Sequence, residues 1–259
     1  GDILEGDDVI AGDGSITKVI GVYPQGEQDI YRLTCNDGAT TECTSEHLWL
    51  TTTHYERNNL KRYKDRNPDG ERKYASVKTT AEILETLKVK KGINHVIPKP
   101  NPVFQYRRPI TINPYLLGAL IGDACLRKTS VVFSTGDDWM SDTVEKLLPE
   151  GLFLRRTKPE LGDFSITATG KRGGNGPGSN ILLQNLRDYG LLGKRSFEKF
   201  IPVDYLESSE EDRLNMLRGL MDTDGTIGKK SQQTTFSTTS YKLAQDVVYL
   251  VRSLGGTAS

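Results

Sequence analysis

Cysteine is scarce in this chain: Cys35, Cys43 and Cys125 are the whole complement in 259 residues. An odd, sparse set argues against a disulfide framework and fits a reducing compartment. Cys35, Cys43 and His47 are near enough in sequence to suggest zinc. No paired Cys-x-x-Cys supports that, so small buried residues are expected. Long apolar runs are lacking too. None reaches the roughly 18 residues of a membrane span, which excludes a membrane partner and leaves a soluble globular chain as the expectation. No basic-then-apolar leader opens the sequence. It starts without Met, at Gly1-Asp2-Ile3-Leu4, and reads like the middle of a protein. The length suffices for one large domain or two ordinary ones.

Net charge is also absent, with 34 Lys/Arg against 34 Asp/Glu. The balance is local rather than uniform. Residues 1–51 hold 2 basic and 10 acidic side chains, and residues 52–109 hold 14 and 6. An acidic module beside a basic one suggests two jobs. The basic stretch interleaves Tyr55, Tyr63, Tyr74 and Tyr106. That pattern suits a nucleic-acid backbone, and equally a solvated insert. Arg57, Lys61, Arg62, Lys64, Arg127, Lys128, Lys229 and Lys230 are the candidate DNA contacts.

Residues 1–53 read as β. "ITKVIGVY", "DIYRLTC" and "HLWLTTT" are rich in β-branched and aromatic residues, and Asn36-Asp37-Gly38 signals a hairpin. Periodicity is lost over 54–74. "TTAEILETLK" is a short helix capped by Thr79 or Thr80. A Pro-rich connector, "HVIPKPNPVFQYRRPI", marks a boundary. Three parts result: 1–53, a basic insert and connector over 54–109, and 110–259.

The third part opens on a helix, "NPYLLGALIGDACL", with Asn113 as N-cap and Pro114 at the first helical position. Gly118 and Gly122 share a face, the spacing that lets another backbone come close. A second helix, "SSEEDRLNMLRGLMDTDG", begins at Ser209 with acids in its first turn. Gly219 and Thr223 repeat the four-residue spacing. Gly225 suits the left-handed position that ends a helix. "LLGALIGDA" (116–124) matches "LRGLMDTDG" (217–225) position for position. Phe-Ser-Thr then recurs at 133–135 and 236–238, each time before an amphipathic helix. A duplication of about 100 residues predicts two half-domains about a pseudo-twofold axis.

Asp222-Thr223-Asp224-Gly225 resembles a phosphatase opening, but that motif needs a strand, a later Lys and a later acidic pair. A calcium loop starting at Asp222 would need acids at its fifth and twelfth positions, where Thr226 and Gln233 stand. The helix-end reading remains. Asp123 and Asp224 lie at helix C-termini, where the dipole disfavours an anion. If the two helices pack, both carboxylates land side by side and call for a cation between them. Divalent metal between carboxylates near basic surface is suited to phosphodiester hydrolysis.

These two segments resemble the paired motifs of the LAGLIDADG homing endonucleases. The resemblance implies a pseudo-symmetric αββαββα core and cutting of both DNA strands. It implies that Asp123 and Asp224 bind Mg²⁺ (Mn²⁺ can substitute) and activate water. "GKRSFEKFIP" resembles the family's Lys-bearing segment. Lys199 is thereby the candidate for polarising water or steadying the phosphate, with an ordinary surface lysine as the other reading. Ala124 stands where the family usually has Gly, which leaves the first helix-ending turn open to alteration.

"TECTSEHLWL" resembles the Thr-x-x-His block of inteins, the self-splicing elements that often carry such a nuclease. The match implies that Thr44 and His47 assist the acyl shift at the upstream splice site. "GDILEGDDVI" resembles the end of the first intein block. His54 and His95 lack that context and read as structural or surface residues. The fold class expected is mixed: an all-β Hint-like splicing part and an α+β LAGLIDADG part with its second repeat truncated. Splicing needs a Cys or Ser first residue and a C-terminal His-Asn; the chain begins Gly1-Asp2 and ends Thr257-Ala258-Ser259. The expectation is an internal fragment of a larger intein, monomeric and cytoplasmic with its host protein. Its partners are double-stranded DNA and the flanking extein segments. The alternatives are a DNA-binding module without cleavage and a splicing element whose nuclease is decaying.

Overall fold

The computed structural model describes residues 2–59, 75–90, 92–127, 129–158, 160, 162–169, 180–228 and 233–259. The chain divides into two compact units, Gly1–Asn101 and Pro102–Ala258.

The first unit is built from antiparallel strand pairs. β1 (Asp8–Ile10) pairs β2 (Ile16–Lys18), β3 (Tyr31–Thr34) pairs β4 (Thr40–Cys43), β5 (Leu48–Thr51) pairs β6 (Ser76–Thr79), and β7 (Lys88–Val89) pairs β8 (Gly92–Ile93). Asn36-Asp37-Gly38 turns β3 into β4, with Gly38 at φ 78°. α1 (Thr80–Glu85) starts at a complete capping box. Thr79 accepts from the Glu82 N–H and Glu82 accepts from the Thr79 N–H. The strand expected across 16–23 stops at Lys18. The aperiodic reading of 54–74 is corrected at its start, because residues 54–59 are helical. Thr53 and Glu56 form the cap there: the Thr53 N–H donates to Glu56 at 2.6 Å and the Glu56 N–H to the Thr53 hydroxyl at 3.3 Å.

The second unit holds the main core. α2 (Pro114–Asp123), β9 (Ala124–Leu126), β10 (Val131–Ser134), α3 (Asp138–Leu147), β11 (Leu152–Lys158), β12 (Asp163–Ala168) and α4 (Ile181–Asp188) follow in an αββαββα order. The four strands make one antiparallel sheet, β11-β12-β10-β9. α5 (Val203–Leu206) leads to α6 (Glu210–Asp224), β13 (Gly225–Ile227), β14 (Thr234–Phe236) and α7 (Tyr241–Ser253). The duplication extends to strand register. Phe133 faces Ala124 across β10 and β9, and Phe236 faces Gly225 across β14 and β13.

α2 is apolar nearly all round, with Leu116, Leu117, Leu120 and Ile121 fully buried. Each such side chain contributes about 1.5–3 kcal/mol by leaving water. Asn113 caps α2 through the Leu116 N–H, and Ser209 caps α6 through the Asp212 N–H. Arg213, mid-pattern in α6, is fully buried. It donates to the carbonyls of Ser208, Ser253 and Val103, which ties the start of the unit to its last helix. Tyr205 donates to the Ile112 carbonyl at 2.8 Å and accepts its N–H at 3.1 Å, fixing the approach to α2.

Candidate active site

α2 and α6 cross with backbone against backbone. A Cβ on Gly219 would lie 2.1 Å from the Tyr115 carbonyl oxygen. One on Gly118 would lie 2.5 Å from the Met216 carbonyl oxygen, and one on Gly122 would lie 2.0 Å from Thr223 Oγ1. Real side chains do not survive such contacts, so glycine is required for proximity rather than for flexibility. Thr223 turns its hydroxyl inward to the Leu220 carbonyl at 2.8 Å, which keeps its own side chain compact at the crossing.

This crossing sets Asp123 and Asp224 together. Asp224 Oδ2 is 3.4 Å from the position a Gly122 Cβ would take, one residue from Asp123. Burial holds the Asp123 carboxyl above the ordinary 3.8, the Asp224 charge adds to this, and Lys199 opposes both. Burial likewise raises Asp224, again against Lys199. Two half-buried carboxyls short of compensating charge make a cation-seeking pair. Their oxygens suit a hard divalent ion such as Mg²⁺, which takes one or two carboxylates and keeps several waters. Among the described residues no group of three or more His, Cys, Asp or Glu gathers to hold a metal.

Lys199 is 6% exposed. Its ammonium donates to the carbonyls of Ile121 at 2.6 Å, Gly122 at 2.9 Å and Ala124 at 2.9 Å. All three protons are thus committed to the C-terminus of α2. There they satisfy carbonyls that a helix end leaves open and offset the dipole that disfavours Asp123. Burial lowers the Lys199 pKa, with Asp224, Asp123 and Cys125 acting in the opposite sense. The surface-lysine reading is corrected by this burial. In this arrangement the side chain has no proton left to give to water or a phosphate. Its own segment is held by α7: Ser240 donates to the Lys199 carbonyl at 2.6 Å, and the Ile201 N–H donates to buried Asp246 at 3.0 Å.

Gly225 corrects a second expectation. It sits at φ −87°, ψ 149°, extended rather than left-handed, and opens β13. Ala124 has the same conformation, φ −97°, ψ 142°. What demands glycine at 225 is again space, since a Cβ would lie 2.3 Å from the Met221 carbonyl oxygen. Asp222 is used differently from Asp224. It accepts from the Tyr115 hydroxyl at 2.7 Å across the crossing.

In the first unit, Thr44 and His47 share one turn, with the His47 N–H donating to the Thr44 carbonyl at 3.3 Å. The exposed His47 ring lies edge-on to Trp49 at 4.7 Å between centroids. His95 bonds Thr86 at 2.8 Å and Thr51 at 3.3 Å, and His54 bonds Asn58 at 3.1 Å. Arg57 is half-buried and donates to the carbonyls of Thr52 and Asn94, so its guanidinium is occupied internally. Arg127 is exposed next to β9. Lys61, Arg62, Lys64, Lys128, Lys229 and Lys230 fall outside the described residues. The expectation of buried cysteines holds for Cys43 alone; Cys35 and Cys125 are exposed because each occupies a solvent-facing position at a strand edge or end. No described helix is long and apolar enough to cross a membrane.

Residues 211–259, which span α6 to α7, match the LAGLIDADG-like domain. A LAGLIDADG-like domain is thus found over the last part of the second unit, residues 211–259. Almost the whole chain is also similar to the replicative DNA helicase DnaB of Mycobacterium intracellulare, 30% identical over 266 residues, covering 98% of this chain and 39% of that protein. The DnaB of Rhodothermus marinus is 27% identical over 254 residues, covering 92% of this chain and 23% of that protein. That of a Nostoc species is 25% identical over 246 residues, covering 92% and 25%. The chain therefore spans two-fifths or less of the length of these relatives.

Proposed function

We propose that this chain is part of an intein carried within a DnaB-type helicase, and that its second unit is a metal-dependent homing endonuclease. The observation that carries the reading is the backbone-to-backbone crossing that brings Asp123 and Asp224 to one point. A divalent cation held there supplies a polarised phosphoryl oxygen and a water acidic enough to attack at neutral pH. The chain's own residues do the rest. Asp123 and Asp224 hold the ion, one from each repeat. Gly118, Gly122, Gly219 and Thr223 fix the spacing between them, and Lys199 keeps the end of α2 in place. The substrate is double-stranded DNA, met by a monomer with internal pseudo-symmetry.

The helicase likeness favours an inserted element over a piece of motor. A LAGLIDADG-like stretch lies inside a chain that is similar to the helicase over almost its whole length, as an insertion carrying its own domain would be. The strand pairs of the first unit and the Thr44–His47 turn support the early part of a Hint-like splicing domain. His47 is solvent-facing, as a residue acting on a neighbouring splice-site peptide must be. Flanking helicase segments are then the partners of the splicing reaction.

The test is a plasmid bearing the helicase gene with the coding segment for the element removed, incubated with the complete element and Mg²⁺. Linear product is expected, and either Asp123→Asn or Asp224→Asn abolishes it. Full cutting by either variant would sink the metal assignment. The second reading, DNA binding without cleavage, drew on Ala124. Its backbone equivalence with Gly225 supports an intact first copy and so the nuclease.

A further inference from the structure

Beside Asp224 lies a cleft of about 370 Å³, with Ser196, Lys199, Ser237, Thr238 and Thr239 in its wall. Its cation is not available to a ligand, because the Lys199 ammonium protons all go to α2 carbonyls. The cleft offers hydroxyls instead. Ser196, Ser237 and Thr239 are exposed, and none of these hydroxyls has a hydrogen-bond partner among the described residues. The loop that carries two of them is fixed. The Ser237 N–H donates to the Asp224 carbonyl at 3.1 Å, and Thr238 Oγ1 accepts the Ser240 N–H at 3.1 Å.

We propose that the hydroxyls of Ser237, Thr239 and Ser196 form a subsite for a phosphodiester of the DNA backbone beside Asp224. The proposal rests on reading the second unit as a DNA nuclease. Ser and Thr hydroxyls are ordinary phosphate donors that set register without reading bases. Neutral donors suit this position. A free ammonium here would pair with Asp224 and compete with a divalent ion, whereas a hydroxyl grips phosphate oxygen and leaves the carboxylate its charge.

The first repeat is an internal control. Thr135 Oγ1 accepts the Asp137 N–H at 3.1 Å, the same turn as at Thr238 and Ser240. Beyond the turn the chemistry diverges. Gly136, Asp137 and Asp138 stand where the second copy has Thr239, Ser240 and Tyr241. The Ser134 hydroxyl, matching Ser237, is committed to Asp163 at 2.7 Å. A loop with two acids and an occupied hydroxyl repels a phosphate. The subsite therefore belongs to the Asp224 half, and the two DNA strands meet unequal sites.

The experiment compares Ser237→Ala/Thr239→Ala with the unaltered chain on a duplex spanning the uninterrupted helicase gene, each strand labelled separately. Two lost neutral hydrogen bonds slow one strand about tenfold, the strand most sensitive to Asp224→Asn, and leave the other nearly unchanged. On supercoiled plasmid, nicked circles accumulate. Equal slowing of both strands, or none, overturns the subsite while leaving the nuclease reading intact. Ser237→Thr/Thr239→Ser keeps both donors and cuts at the original rate; a loss as large as with alanine overturns the hydroxyl role. Thermal melting of both variants matches the unaltered chain, since both side chains are exposed. Where the unaltered chain binds the duplex in Ca²⁺ without cutting in Mg²⁺, a tenfold weaker affinity of the alanine variant supports the subsite and equal affinity overturns it. A chain that neither binds nor cuts ends both readings.

Discussion

Gly219→Ala tests the helix crossing most directly. The new Cβ would lie 2.1 Å from the Tyr115 carbonyl oxygen and 2.9 Å from the Ala119 nitrogen. Both are backbone atoms of a buried helix, so no rotamer change relieves them. To restore ordinary contact at 3.4 Å, α2 and α6 must part by about 1.3 Å. A gap of about 0.5–1 Å already forfeits roughly a quarter to a half of the local dispersion energy, and this one is wider. The side chains affected include Leu116, Leu120, Met216 and Leu220, all fully buried. Overpacking at the upper end of its range costs about 3 kcal/mol, and the better helix propensity of Ala returns about 1 kcal/mol. A net loss of about 2 kcal/mol lowers the melting temperature of a unit this size by about 4–8 °C. Gly136→Ala is the matched control, because its Cβ would meet nothing within 4 Å. It should be neutral or more stable by up to about 1 kcal/mol. Scanning calorimetry of both variants decides the matter. Equal melting of Gly219→Ala and Gly136→Ala would refute the close-crossing account.

Three further outcomes follow from the same geometry. Burial raises the Asp224 carboxyl above its unfolded value near 3.8, so it favours folding below that value and opposes it once pH has risen through the raised value. Asp224→Asn should therefore stabilise the metal-free protein at neutral pH, with the difference closing as pH falls towards the ordinary Asp range; thermal melts in a chelator read this, and a variant less stable at neutral pH contradicts it. Lys199→Met leaves three carbonyls at the end of α2 without their donor, and urea titration should show a loss of at least about 3 kcal/mol. Tyr115→Phe removes the hydroxyl that Asp222 accepts. About 1–2 kcal/mol of stability should be lost with plasmid cutting little changed, whereas abolished cutting would give Asp222 a direct part in the chemistry.

Local rules made much of the second unit readable. Asn113 and Ser209 cap their helices, and the two aligned motifs lead to matching strand registers. The glycine spacing points to close backbones, and the physical reason is the clash that any Cβ at those positions would meet. The same letter misled at Gly225, where glycine answers to the Met221 carbonyl rather than to a left-handed turn. A pattern of residue types does not distinguish these causes. Thr53-x-x-Glu56 carried a capping signal that composition obscured in a basic, polar stretch. The burial of Arg213 and of Lys199 was out of reach for a different reason. Long cations read as surface residues, and only tertiary placement supplies the carbonyls that allow them to be buried.

The crossing of α2 and α6 also imposes an order in time. Asp123 leaves the ribosome about a hundred residues ahead of Asp224. Until α6 has folded back, the newborn chain holds one lone carboxylate and an open glycine face. Under the proposed nuclease reading, a site assembled from two halves of one polypeptide stays inert until its second half has been made, with completion of the second helix acting as the release of a safety catch.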